Sequence, residues 1–257
     1  MSLSILVLCS DGPHHGYLTS KLSSRFTDLR IVCESEAAQL NKLWRARRYR
    51  DYTWRRYHGL RRQVLGLDSY RRSFFGGCFS TVAPNQGHVT NVADINGPEI
   101  MACIRARRPD VIVVMGTSIL KGDVLFQDIP IVNIHGGYLP DYKGNHCIFF
   151  ALLHDRPDRV AATIHYVDAG VDSGAIIDRA LGSVTPSDIP ETLYCKVERD
   201  AVDRLVELLL KLSRGHPLAA ISQPDNGQVF RTCDRTPWHD LRLWLCRGRL
   251  LPPTKNG

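Results

Sequence analysis

Short apolar runs alternate with turn residues and helical stretches along most of this chain. Ser4 to Cys9 is a β-type run that ends in the turn residues Ser10-Asp11-Gly12-Pro13. Tyr17, Leu18, Leu22 and Phe26 recur at helical spacing, which predicts a helix from His15 to Phe26. Leu29 to Cys33 then reads as a second strand, so the opening is a βαβ unit of a parallel sheet. Leu40 to about Phe75 reads as mostly helical, and Gly76-Gly77 and Pro84-Asn85-Gln86-Gly87 mark loops. Gly97-Pro98-Glu99 opens a helix running to about Arg107, with Pro98 in its first turn.

Val111 to Met115 is continuously apolar, as a central strand buried on both faces should be, and Ile129 to Ile134 reads as the next strand. A helix is expected from Asn145 to His154, a strand from Ala161 to Val167, and extended chain again from Ala175 to Ala180. A long helix follows from Ile189 to Leu212, with Ser187-Asp188 as candidate caps and Gly215 beyond its end. After Gly215, Pro217, Pro224, Pro237, Pro252 and Pro253 break the chain into short spans, predicting a hairpin-and-helix appendage. The expected fold is α/β: a Rossmann-like, mostly parallel sheet with helices on both faces and a small C-terminal appendage. The expected division is a catalytic domain over 1–185, with an arginine-rich helical insertion at about 40–75, and a C-terminal helix and extension over 186–257.

Composition narrows the class. At 257 residues, 44% hydrophobic and 23% charged, the chain has ample core for one large domain. No apolar run approaches the ~20 residues of a membrane span. The first residues read as a buried strand, because a signal core would need a basic flank and a small-residue cleavage site. Eight cysteines are scattered without a C-x-x-C pair, which fits buried free thiols in a reducing cytoplasm and no metal site. The net charge of +7 is concentrated between Lys42 and Arg72, where eleven Lys and Arg side chains interleave with aromatics. Two readings stay open there. The arginine stems cover apolar helix surface, or the segment holds a phosphate-bearing ligand or nucleic acid.

Asn133 and His135 fall at the carboxyl end of a strand, beside Gly116-Thr117-Ser118 at the end of another. Open α/β sheets bind ligands at that rim. An amide can hold a developing oxyanion, an imidazole can move its proton, and a carboxylate such as Asp172 can orient the imidazole, which points to acyl transfer. A nucleophilic serine is disfavoured, since no G-x-S-x-G turn is present. Taken singly, His135 and Asp172 also read as structural groups, and so do His165 and Asp168. The first turn lacks G-x-G-x-x-G, so there is no dinucleotide fingerprint.

Longer motifs favour the chemical reading. Asn133-Ile134-His135, followed by Leu139-Pro140-Asp141-Tyr142-Lys143-Gly144, resembles the signature of the 10-formyltetrahydrofolate-dependent formyltransferases. The run from Thr163 to Ile177, containing His165-Tyr166-Val167-Asp168-Ala169-Gly170-Val171-Asp172-Ser173-Gly174, is similar to that family's second signature. Val114 to Leu120 is similar to its cofactor-side strand and turn. The resemblance implies that Asn133, His135 and Asp172 are catalytic. It also implies that 10-formyltetrahydrofolate, used as cosubstrate without a metal, rests on Met115, Ile119, Leu120, Asp168, Ala169, Gly170 and Val171. The family usually has Pro and Ser after the histidine, whereas this chain has Gly136-Gly137, a change expected to reshape the acceptor side. The first turn lacks the Gly-Ser-Asn element of glycinamide ribonucleotide formyltransferases. The tail is short beside the C-terminal barrel of methionyl-tRNA formyltransferases. What remains is a sugar N-formyltransferase-like enzyme, expected to be a cytoplasmic homodimer. Its expected acceptor is a small-molecule amine, first a nucleotide-linked amino sugar, with nucleic acid not expected. Gly136, Gly137, Tyr142, Lys143, Arg47, Arg48 and Arg55 are the expected acceptor contacts. The alternatives are formylation of an amine or hydroxylamine in siderophore or antibiotic assembly, and a folate-binding regulator without catalysis.

Overall fold

A computed structural model of the chain describes residues 3–76, 89–125, 128–224 and 226–247. The expected loops at Gly77 and Pro84 to Gly87, and the prolines at 252 and 253, lie outside these. Seven strands form one sheet: β1 (Ile5–Cys9), β2 (Leu29–Cys33), β3 (Val89–Asn91), β4 (Val111–Met115), β5 (Ile131–His135), β7 (Ala161–Tyr166) and β8 (Ile176–Leu181). Their order is β3-β2-β1-β4-β5-β7-β8, with β7 and β8 antiparallel and the rest parallel. Chain order reverses between β1 and β4, and their carboxyl ends open the crevice where such sheets take ligands. A separate ribbon pairs β6 (Tyr142–Gly144) with β9 (Gln228–Phe230).

The apolar runs are continuous because both sheet faces are covered. Ile5, Val7, Val111 and Val113 pack into one core with α1 (Pro13–Ser23), α6 (Cys147–Leu153) and α7 (Pro190–Ser213). Leu6, Leu8, Ile112 and Val114 pack into a second core with Ile100 and Ile104 of α5 (Pro98–Arg107). The expected α/β class and its mostly parallel sheet are therefore what the chain forms. Among the described residues no helix is long and apolar enough to cross a membrane.

The arginine-rich segment is α2 (Glu36–Arg45), α3 (Tyr49–Val64) and α4 (Leu67–Phe74), broken where Arg47 and Gly66 take positive φ of 56° and 68°. Four details differ from the sequence reading. Pro13 starts α1 ahead of His15, since a proline suits the first helical position. Helix α6 starts at Cys147, because His146 takes a φ of 59°. Asp188 does not cap α7; its carboxylate accepts from Thr185, Thr192 and Lys196, while Thr192 Oγ1 takes the Ile189 N–H. The tail makes no hairpin among the described residues. Its strand β9 pairs parallel with β6, and α8 (Pro237–Arg247) follows.

The reason for the tail's course is Phe230. Its ring stacks on Phe150 at 4.1 Å and on Tyr142 at 5.8 Å, so pairing with β6 buries an aromatic that a local hairpin would leave in solvent. Gly227 fits against the Pro140 carbonyl, and Gly144, at a φ of 84°, fits against that of Phe230. Phe230→Ala should therefore cost about 3–5 kcal/mol, as large-to-small core changes do. Urea unfolding checks this: the midpoint falls with little change in m-value.

Candidate active site

The site is built from β5 outward. Asn133 and His135, two apart on a strand, share one face of the sheet. The antiparallel partner β7 sets His165 opposite Asn133 and Thr163 opposite His135. His165 Nδ1 lies 2.7 Å from the Tyr166 carbonyl, which can only accept, so this nitrogen carries the proton. In the neutral ring the other, Nε2, accepts from the Asn133 amide at 3.1 Å, which aims that amide, and in the cationic ring it turns a proton towards Asp172. Thr163 Oγ1 donates to the Gly137 carbonyl at 2.6 Å and accepts from Leu139 N–H, fixing the turn after His135. A Cβ on Gly137 would stand 2.4 Å from His135 Nε2 and 2.7 Å from Cys147 Cβ. This glycine is required by the packing of the histidine itself.

Asp172 reaches the pair from the loop after β7, at a φ of 50°. Its Oδ2 lies 3.3 Å from His135 Nδ1 and accepts from Gly144 N–H at 2.8 Å, and its Oδ1 lies 3.6 Å from His165 Nε2. The loop is internally tied by Asp168 Oδ1, which accepts from Gly170 N–H and Ser173 Oγ. The tail holds it too, since Gln223 Nε2 donates to the carbonyls of Asp172 and Gly174. Burial would raise the Asp172 carboxyl, but His135, His165 and the Gly144 N–H outweigh it and hold the group well below the usual carboxylate range. Burial lowers His135, with Asp172 pulling the other way. The ring has partners in both charge states. Its Nε2 can donate to the Tyr142 carbonyl at 3.0 Å when protonated, or accept from the Cys147 thiol at 3.5 Å when neutral.

Above these residues lies a cavity of about 370 Å³. Met115, Ile119, Leu120, Asp168, Ala169, Gly170 and Val171, the expected folate contacts, all line it, as do Asn133, His135, Gly136 and Asp172. The other expected acceptor contacts do not. Gly137 packs on His135 and the Tyr142 carbonyl faces its Nε2, while the buried Tyr142 and Lys143 belong to the β6–β9 ribbon, with the Tyr142 hydroxyl 3.3 Å from His154 Nδ1. Arg47 and Arg48 are exposed between α2 and α3, where Arg48 pairs with Asp51 at 2.7 Å, and Arg55 is half-buried on α3. Among the described residues the lining contains no lysine or arginine.

The sequence reading passed over several lining residues: His14, His15, Asn145, His146, Tyr194 and Glu198. Burial holds His14 and His146 well below their ordinary value and pushes His15 down to about 3, so these rings are neutral. The first turn was judged by the glycines it lacks, which hid its histidines. Tyr194 and Glu198 sit on α7, far along the chain from both motifs, and helical periodicity gives no sign that they face a cavity.

Comparison with known proteins bears on the family and the fold. The sequence model of a protein family described as formyl transferase matches residues 80–209. A methionyl-tRNA formyltransferase from Paraburkholderia phytofirmans is 34% identical over 131 residues, 49% of this chain and 39% of that protein. The chain thus spans about two-fifths of the length of the curated relatives it matches. Among solved structures, a 4-N formyltransferase from Francisella tularensis superposes with a TM-score of 0.62 at 14% identity, covering 100% of this chain and 92% of that one. The sugar 3N-formyl transferase WlaRD, solved in the presence of dTDP and 5-N-formyl-tetrahydrofolate, gives 0.56 at 15% identity over 100% and 84%.

The Asp172 environment sets a pH signature. Its folded pKa lies below the unfolded value, so the carboxylate stabilises the fold above about pH 4 and that contribution fades as pH falls through the lower folded pKa. Replacing Asp172→Asn should cost about 1–3 kcal/mol at neutral pH, typical of a buried polar group losing its partner. In urea unfolding measured across pH, the gap between wild type and variant should be flat above about pH 5 and narrow below about pH 4.

Proposed function

The chain belongs to the formyl transferase family, and from that premise we propose that it moves a formyl group from N10-formyltetrahydrofolate to the primary amine of a small acceptor, an amino sugar carried on a nucleotide diphosphate. The observation that carries this reading is the meeting of Asn133, His135 and Asp172 under one cavity. The Met115 to Leu120 strand and turn and the peptide groups of the 168–172 loop suit a flat, hydrogen-bonding pterin. The remaining wall is left to the acceptor.

In this reading the acceptor nitrogen attacks the formyl carbon, and the carbonyl electron pair moves to oxygen. The Asn133 amide, aimed by His165, donates to that oxygen, and the positive charge of a protonated His135, held by Asp172, favours it through space. A proton leaves the new C–N nitrogen as the bond to N10 breaks, and N10 is protonated in turn. The His135–Asp172 pair relays that proton, with Asp172 steadying the cationic imidazole; their contact at 3.3 Å supports this role. A lining without lysine or arginine among the described residues supports the amine end, and not the phosphates, as the part of the acceptor that enters.

The test supplies 10-formyltetrahydrofolate with dTDP-linked 3-amino and 4-amino dideoxyhexoses and, separately, methionyl-tRNA. Tetrahydrofolate should form with an amino sugar. Asn133→Ala and His135→Ala should each lower kcat by roughly 10²–10³, the cost of losing an oxyanion donor, while 5-formyltetrahydrofolate still binds. Transfer to methionyl-tRNA alone would refute the small acceptor. Folate binding without transfer to any amine would leave a regulator.

A further inference from the structure

Gly136 and α7 meet on the acceptor wall. A Cβ on Gly136 would stand 2.8 Å from Tyr194 Cε1 and 3.7 Å from Glu198 Oε1. Gly136 does not have positive φ, so its backbone does not demand glycine. What demands it is space: the residue after His135 is bare so that Tyr194 of α7 can stand against the site, with Glu198 at ordinary contact distance beside it.

One of them is unsatisfied. Glu198 Oε2 is buried and has no hydrogen-bond partner. The cation facing it, Arg71 on α4, pairs with Glu191 at 2.5 Å and keeps a buried Nε without a partner, yet no ion pair joins Arg71 to Glu198 among the described residues. The other titratable groups around the carboxyl are Tyr194 and Cys195 on α7, with His14 and His15 of α1 in the same lining. A buried carboxyl without a donor is costly, and a ligand that brings one removes that cost.

Resting on the formyl-transfer reading above, we propose that Glu198 receives the ammonium form of the acceptor amine and takes one of its protons, leaving the free amine facing the formyl carbon beside His135. The acceptor enters as R–NH3+ and the carboxylate becomes a carboxylic acid. The freed lone pair forms the C–N bond, and the carbonyl pair moves to the oxygen held by Asn133. The nitrogen's surplus proton passes through His135 to N10 as the C–N10 bond breaks, and the proton on Glu198 leaves to water through the cavity mouth. The sum is ammonium plus formyl donor giving formamide, tetrahydrofolate and one proton. Burial, opposed in part by Arg71 and aided by Glu191, raises Glu198 to about 7, which suits an exchange with an ammonium near neutral pH.

The experiment compares wild type with Glu198→Gln and Glu198→Asp, using dTDP-4-amino-4,6-dideoxyglucose as probe. Glu198→Gln should raise the acceptor KM at least tenfold and move the acid limb of the kcat/KM profile up towards the amine's own pKa. Binding of 5-formyltetrahydrofolate should stay within twofold, which also reports a folded site. Glu198→Asp, which keeps a carboxylate, should restore part of the acid limb. An unchanged acceptor KM and acid limb in Glu198→Gln, with wild type active, would overturn this inference and leave formyl transfer standing. An inactive wild type with every amine would overturn both.

Discussion

The arrangement hangs on keeping one carboxylate ionised inside the protein. Asp172 is nearly buried, and burial alone would neutralise it. Its charge survives because three parts of the chain bring partners to it: His135 from β5, His165 from β7 and the Gly144 N–H from β6. The antiparallel pairing of β7 with β5 brings His165 to this meeting and leads into the loop that carries Asp172, reversing an otherwise parallel sheet at the point where the site forms. The tail belongs to the same constraint. Strand β9 holds β6, and Gln223 holds the loop that carries Asp172, so residues remote from the chemistry fix the angle at which the carboxylate meets the imidazole.

Much of this was legible because local signals and the global fold agree. The run Val111 to Met115 has no polar interruption, and only a strand covered on both faces can use such a run. Asn133, His135 and Asp172 could be paired because two motifs carry them in fixed order. What could not be read was register. The bond between His165 and Asn133 exists because those residues lie opposite each other in an antiparallel pair, and no spacing along one strand encodes that. The tail's partner was illegible for the same reason: Phe230 carries no sign that its stacking partners lie near Tyr142 and Phe150.

The arginine-rich segment shows how charge clusters mislead. Several of its side chains serve as ties between helices. Arg61 pairs with Asp240 of α8, Arg62 with Glu36 and Asp68, and Arg71 with Glu191 of α7. The Arg71 pair is buried, where an unpaired charge would be prohibitive, so it fixes α4 against the long helix that walls the cavity. Composition counts these cations as available to a ligand. The fold has committed these three to structure.

Gly136-Gly137, a departure from the usual motif, separates into two requirements. Gly137 gives room to His135 itself, whereas Gly136 gives room to α7. A Cβ at 136 would push Tyr194 away from the rim; glycine lets this face of α7 come within contact of the residue next to the imidazole. With His14, His15 and His146 held neutral and no lysine or arginine in the lining among the described residues, the fixed charge of these comes from carboxyl groups. Coulombic attraction in so shielded a space favours a cationic group and disfavours a phosphate. For an acceptor of the kind proposed above, such a lining suits the amine end facing inward and an anionic end left towards solvent.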